Sequence, residues 1–399
     1  MLPAGKNYDV IIAGAGPAGS SAAIHLANRD VRVLLVEQKS FPRAKLCGEF
    51  ISPECLPHFE RLGVQAAMQS SHPAPITETV FYSHNGRRIV VPSRWFGGVV
   101  ALGLSRSEMD NNLLDRAKSL GVDVLEGAIV NDLIEDGNIA CGVKLKIDLV
   151  EQEYRAPVVV DATGRARVLA RRVDSHHGIK PKLVAFKAHL QNTVGSPTSC
   201  EIYSYPGGYG GLNTIENGLS NLCFIVDASL VKRAHSDPER VMRQNVMLNP
   251  RAALTLERAS VCTDWLSVSL ESFGRQHASP MIGLLAIGDS AAFIDPFTGS
   301  GMLMALESGE LVSEVIVRHL YKLKGESSIT SLCADYANAY RQKFDSRLRV
   351  CGLLRRVAFR PALAQLAITV CSASDQFRGW LARATRSSVK DKRTSVHPT

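Results

Sequence analysis

The sequence predicts a mixed α/β (α+β) protein: a largely parallel sheet with helices, an inserted antiparallel β-sheet layer, and a C-terminal helical segment. Three observations carry this. An apolar strand, a glycine turn and a helix open the chain at Tyr8–Ala27. Alternating, hairpin-like patterns fill residues 76–101 and 183–230. A second apolar strand, Leu284–Ile287, runs into a glycine-rich loop and a long helix.

In the first unit, Val10–Ala13 is a short all-apolar run of the kind a central parallel strand needs. Gly14, Gly16 and Gly19 follow as G-x-G-x-x-G, with Pro17 and Ala18 opening the helix. The first glycine permits the tight turn, the second lets backbone approach a pyrophosphate, and the third lets helix and strand pack closely. The helix N-terminus faces the negative charge. Val31–Val36 reads as the next strand and ends in Glu37 and Gln38. Glu37 lies 18 residues past Gly19, where a carboxylate accepts hydrogen bonds from ribose hydroxyls. Strand, glycines, helix, strand and acid in that order define a Rossmann-like dinucleotide site.

Composition sets the remaining bounds. The 399 residues are 45% hydrophobic and 21% charged, an ordinary globular balance with room for a substantial core. The net charge of +8 comes without a lysine-rich run or aromatic–basic alternation, so nucleic acid is not the expected partner. Nine scattered cysteines without C-x-x-C predict no metal site, no disulfide framework and a reducing, cytoplasmic setting. The N-terminus leaves no room for a signal peptide, and no 18-residue apolar run predicts a membrane span.

After Glu37, Arg43 and Lys45 suit a loop along a dinucleotide, either neutralising phosphate or merely solvated. Gly48 suits close approach to a flat ring, and Cys47 beside it is read as packing more than as a nucleophile. Pro53–Gly63 reads as a helix, and Asn85-Gly86 as a two-residue hairpin loop. Ser105 or Ser107 caps a helix that carries Arg106 and runs to Gly121. Ala156–Val160 is an apolar strand ending in Asp161, with Ala162, Thr163 and Gly164 at the sheet edge that faces ligand. Pro206–Gly211 reads as a backbone wall against a planar ligand or, equally, as a wide hairpin turn. Leu284–Ile287 ends in Gly288-Asp289, placing Asp289 to bond hydroxyls. The loop Pro296, Gly299, Ser300, Gly301, Met302 offers backbone N–H groups at a helix start. Residues 1–75, 102–182 and 270–330 form the expected cofactor domain, and 76–101 with 183–269 the substrate layer. Residues 331–384 form C-terminal helices rich in Arg and Leu, including Arg347, Arg355 and Arg360. They either pack on the cofactor domain or touch a membrane surface peripherally. Residues 385–399 form a basic, disordered tail.

Together these elements resemble the FAD-dependent oxidoreductases of the para-hydroxybenzoate hydroxylase type over roughly residues 7–320. That superfamily includes geranylgeranyl reductases and flavin-dependent halogenases. Gly14–Gly19 with Glu37 is similar to its ADP-binding motif, Asp161–Gly164 to its middle motif, and Gly288-Asp289 through Gly301-Met302 to its flavin motif. Arg106 sits where the family places an arginine near the flavin, and Lys45–Gly48 resembles the Cys-Gly segment of the reductases. The resemblance implies FAD as cofactor and NAD(P)H as transient reductant, since no second G-x-G-x-x-G is present. Tyr209-Gly-Gly-Leu-Asn-Thr stands where halogenases carry Trp-x-Trp-x-Ile-Pro, which argues against halogenation. The expected activity is a monooxygenase that uses O₂ through a flavin C4a-hydroperoxide on an apolar or aromatic small molecule. The alternatives are a reductase of C=C bonds in a lipid-like substrate and an FAD-binding protein without catalysis. No acid–base residue declares itself: Cys47 and Tyr209 are candidates, and His189, Tyr203, Tyr205 and His277 read as structural.

Overall fold

The computed structural model describes residues 7–173, 182–270, 273–323, 325–358, 376 and 379. Its central sheet holds five parallel strands in the order Leu284–Ala286, Val158–Asp161, Val10–Ala13, Val33–Glu37 and Asp123–Glu126. Val10 lies opposite both Val158 and Val33, so the all-apolar run occupies the middle position, where both faces are covered. Side chains alternate along it. Val10 and Ile12 pack towards three helices: α1 (Pro17–Ala27), α2 (Arg106–Ser119) and α3 (Gly301–Leu320). Ile11 and Ala13 pack on a three-stranded antiparallel sheet formed by Ile129–Asp136, Ile139–Ile147 and Val150–Arg155. The alternation at 131–145 predicts two of these strands, whereas the polar third one lacked a pattern.

Helices α1 and α3 approach until backbone meets backbone. A Cβ on Gly309 would lie 2.6 Å from the Ala18 carbonyl oxygen. Ser21 and Ser313 hydroxyls donate across the same contact, each at 3.1 Å. Next comes α4 (Glu326–Ala358), which begins before the residue 331 expected from sequence. Tyr336, Tyr340, Phe344 and Arg347 recur at four, four and three residues and are almost wholly buried, forming one helical stripe. Arg347 pairs with Glu307 of α3 at 2.8 Å. The apolar face of the described C-terminal helix is thus packed on the protein. Arg360 and the expected tail at 385–399 lie outside the described residues, and no described helix is long and apolar enough to cross a membrane.

The second large sheet has eight strands. Seven run Ser260–Val261, Leu183–Gln191, Ser220–Asp227, Gly208–Thr214, Ser199–Tyr205, Glu78–Tyr82 and Arg88–Pro92, and Leu266–Leu270 also pairs with Leu183–Gln191. Pairing is antiparallel except between Ser199–Tyr205 and Glu78–Tyr82. Two expectations are corrected here. The hairpin loop holds three residues, not two: Ser83 and Arg87 still pair, and Gly86 takes the left-handed conformation (φ 82°) that ends a turn-plus-bulge loop. Of the segment after Pro206, only Gly207 (φ 82°) belongs to the turn, a two-residue loop with Pro206; Gly208, Gly210 and Gly211 lie in a central strand. A Cβ on Gly208 would stand 2.0 Å from the Ile225 carbonyl oxygen, so the residue is required for strand packing.

Beneath α3, His58 contacts Glu310 at 3.3 Å, and Arg61 bonds both. Burial lowers the His58 pKa to about 4, against the attraction of Glu310. The folded value is depressed, so the unfolded chain binds more protons between pH 4 and 6.5. Stability is therefore full above about pH 6.5 and falls as the pH drops towards 4, by on the order of 1–3 kcal/mol. Urea unfolding from pH 7 to 4.5 should show this slope and His58→Gln should flatten it; an identical slope would assign it elsewhere.

Candidate functional site

The carboxyl ends of the parallel strands and the concave face of the eight-stranded sheet enclose one cavity of about 890 Å³. Gly14 (φ 105°) makes the turn into it, and a Cβ there would lie 2.4 Å from the Ala162 carbonyl oxygen. Gly16 differs: a Cβ would meet just two guanidinium nitrogens, of Arg106 and Arg43, both at 3.9 Å. Its open side faces the cavity, at the N-terminus of α1.

The sequence-derived residues converge on this cavity. Pro17, Ala18, Glu37, Gln38, Arg43, Lys45, Cys47, Gly48, Arg106, Ala162, Gly164, Gly288, Asp289, Pro296, Gly299, Gly301, Met302 and Tyr209 all line it, with Gly14 and Gly16. Three do not, and these are corrections. Gly19 packs inward, where a Cβ would sit 1.9 Å from the Gly14 carbonyl oxygen. Ser300 is fully buried beneath the loop. Asp161 is fully buried and accepts from the N–H groups of Thr163 (2.9 Å), Leu169 (3.1 Å) and Ala170 (2.9 Å) and from the Ser290 hydroxyl (3.0 Å). It shapes the floor of the site and leaves no carboxylate oxygen directed at a ligand. Glu37 also holds the turn, accepting from the Ala15 N–H at 3.0 Å.

Cations crowd one side. Arg106 grips Asp110 with two 2.7 Å bonds, and Arg43 reaches the same carboxylate at 3.1 Å and Glu37 at 3.6 Å. Burial opposes the Arg106 charge, but Asp110 outweighs it and holds the guanidinium above its ordinary range. Lys45 is open to the cavity yet enclosed by protein, so desolvation, then Arg43 and Arg106, lower its pKa. Arg165, which sequence reading passed over, lies 5.2 Å from the Phe293 ring centre and is lowered by burial, with Asp289 opposing. Asp289 is raised by burial, offset by Arg165, Arg106 and Lys45. A pyrophosphate-bearing cofactor answers this field: two anionic charges at a helix N-terminus beside Lys45 and Arg165.

The candidates for acid–base work are engaged. Tyr209 donates its hydroxyl to Asp295 and accepts from the Phe297 N–H at 3.0 Å, and burial raises its pKa well above the tyrosine value. It ties the 295–302 loop to the eight-stranded sheet. Tyr203 donates to Glu201 at 2.7 Å, Tyr205 to the Ile225 carbonyl at 3.0 Å, and His277 is exposed away from the cavity. Cys47 lines the cavity half-buried, its sulfur accepting from the Glu49 N–H at 3.4 Å. Among the described residues no cluster suits a metal.

Missed altogether was Glu49, fully buried between Lys187 (2.6 Å) and His189 (2.7 Å). The signal was present: Lys187 and His189 stand two apart inside the otherwise apolar strand Leu183–Leu190, on one face.

The comparisons with known proteins agree with this geometry. A digeranylgeranylglycerophospholipid reductase of Methanosarcina mazei is 26% identical over 341 residues, covering 84% of this chain and 80% of that protein. A 1H-pyrrole-2-carbonyl-[peptidyl-carrier protein] brominase of Pseudoalteromonas luteoviolacea is 25% identical, covering 78% and 77%. Among solved structures, a flavin-dependent brominase superposes with TM-score 0.80 at 22% identity, over 95% of this chain and 93% of that one. A geranylgeranyl bacteriochlorophyll reductase-like protein of Thermoplasma acidophilum also gives 0.80, at 19% identity over 95% and 96%. The model of the FAD binding domain matches residues 7–317, most of the chain, and the protein belongs to that family of FAD-binding flavoproteins.

Proposed function

We propose that the protein is an FAD-dependent oxidoreductase that reduces C=C bonds of a neutral, lipid-like substrate. The observation that carries this reading is the division of the cavity face of the eight-stranded sheet. At one end Lys187, His189, Asn213 and Asn221 are all bound to the chain segment Cys47–Glu49. At the other, Phe81, Ile89, Val91, Cys200 and Ile202 line the cavity. Register sets these apolar residues side by side, Ile202 opposite Phe81 and Phe81 opposite Ile89. Among the described residues no charged side chain of this sheet lines the cavity; Thr79 and Ser204 are its polar members there, and the wall suits hydrocarbon.

FAD supplies the hydride-transferring chemistry when bound. Gly14–Ala18, Glu37 and Asp289 would hold the cofactor, the apolar end would exclude water, and reduction of a C=C bond would need a proton at one of its two carbons. Cys223, opposite Gly211 in register, lines the cavity, and burial pushes its thiol up to about 12, so it stays protonated. The names of the reductase relatives point the same way.

The similarity to flavin-dependent brominases supports a second reading, the monooxygenase expected from the sequence. Both readings use NAD(P)H. Anaerobic mixing of the FAD-loaded protein with NADPH and geranylgeraniol separates them. Flavin reoxidation without oxygen, with a product two hydrogens heavier, is the expected result. Reoxidation confined to added oxygen, with a hydroxylated product, would replace it by the second reading.

A further inference from the structure

We infer that Glu49 is a positioning residue: held by Lys187 and His189, it locks the Cys47–Gly48 backbone to the substrate sheet, so that one sheet both receives the substrate and sets the wall for the flavin ring. The inference rests on the FAD site and deepens it.

Four side chains in two adjoining rows of the sheet face the segment. His189 lies opposite Asn221, Asn221 lies opposite Asn213, and Lys187 is two residues from His189. Every one donates to it. Lys187 and His189 take the two carboxylate oxygens of Glu49 at 2.6 and 2.7 Å. Asn213 reaches the Glu49 carbonyl at 3.3 Å, and Asn221 the Cys47 carbonyl at 3.2 Å. From the opposite side the Arg106 N–H, at the start of α2, donates to the Glu49 carboxylate at 2.9 Å. Four separate elements, three strands and α2, thus fix a span of three residues.

The backbone shows what this fixing holds. Glu49 adopts φ 51°, the left-handed region that a residue with a Cβ occupies only under strain. Its neighbours Cys47 and Gly48 line the cavity, and nothing stands within 4 Å of a Cβ built on Gly48. A fully buried ion pair is weak as a stabiliser, since an apolar pair of equal volume serves a core as well. Its distinctive property is directional geometry, here spent on a strained segment against the cofactor cavity.

The test uses full-length protein and FAD. Glu49→Gln keeps the shape and removes the charge that Lys187 and His189 oppose. The expected result is FAD binding weakened at least tenfold and an altered visible circular dichroism of the bound flavin. Arg251→Met is the control: it breaks the pair between buried Glu201 of the same sheet and half-buried Arg251 of the helix Pro250–Leu256, outside the cavity. It should lower the melting temperature and leave the flavin spectrum alone. If Glu49→Gln does not fold, Asn221→Ala and His189→Gln, each removing one bond, are read by the same spectrum. Wild-type affinity and spectrum in Glu49→Gln, or in both of these, would overturn the inference, as would an equal spectral change in Arg251→Met. Wild-type protein that takes up no FAD would overturn the FAD site itself, and this inference with it.

Discussion

Gly16→Val is expected to yield a folded, colourless protein. The three glycines of the first turn differ in what a side chain would strike. At Gly14 and Gly19 a Cβ meets backbone oxygen at 2.4 and 1.9 Å, so substitution there damages the fold itself. At Gly16 the nearest atoms are the ends of two flexible arginines at 3.9 Å, and the isopropyl group would stand in the cavity. Folding is retained while the pyrophosphate path is blocked. Thermal melting without added FAD should match that of the wild-type apoprotein within about 1 kcal/mol, as for a change that buries nothing. Absorbance of the purified protein should show less than a tenth of the wild-type flavin content. A yellow Gly16→Val protein with full FAD occupancy would remove this turn from the site.

Asp110→Asn should be the most damaging single change among the charged residues. The carboxylate is fully buried and serves Arg106 through two bonds and Arg43 through a third. Removing its charge leaves two guanidiniums facing Lys45 in an enclosed space. Breaking a buried pair from one side typically destabilises by about 3–5 kcal/mol. Urea midpoints should fall accordingly in the apoprotein. Because FAD brings two negative charges to the same cations, a saturating concentration should recover part of the loss through binding to the folded state alone. A midpoint equal to that of the wild type would show that Arg43 and Arg106 are held by something other than Asp110.

The parallel sheet was legible because its strands are short apolar runs ending in acids or glycine, a pattern that few other structures produce. Gly14, Gly16, Glu37 and Gly288-Asp289 were legible as cavity-lining positions because the tight turns at strand ends restrict residue type locally. Asp161 misled for the same reason. Its position at the strand end matches a ligand-facing acid, but its oxygens satisfy the amides of the following turn, which a linear reading does not reveal. Gly208 and Gly210 misled through propensity: glycine favours turns, yet here the Ile225 carbonyl and Phe224 of the neighbouring strand leave no volume for a Cβ. Lys187 and His189 gave a signal of a buried polar partner, but Glu49 could not be named as it, because it lies 138 and 140 positions away and the sequence alone does not set that pairing.

The order of strands in the parallel sheet also bears on how the molecule comes into being. Val158–Asp161 has Val10–Ala13 on one side and Leu284–Ala286 on the other. A growing polypeptide therefore displays one edge of this largely apolar strand until the last partner has been synthesised. At typical translation speeds of about 5–20 residues per second, that interval is roughly 6–25 s. Such an edge invites pairing with a neighbouring chain, and the strands between residues 183 and 270 emerge while it is open. Yield from expression should accordingly depend on holdase chaperones during synthesis, and not after release.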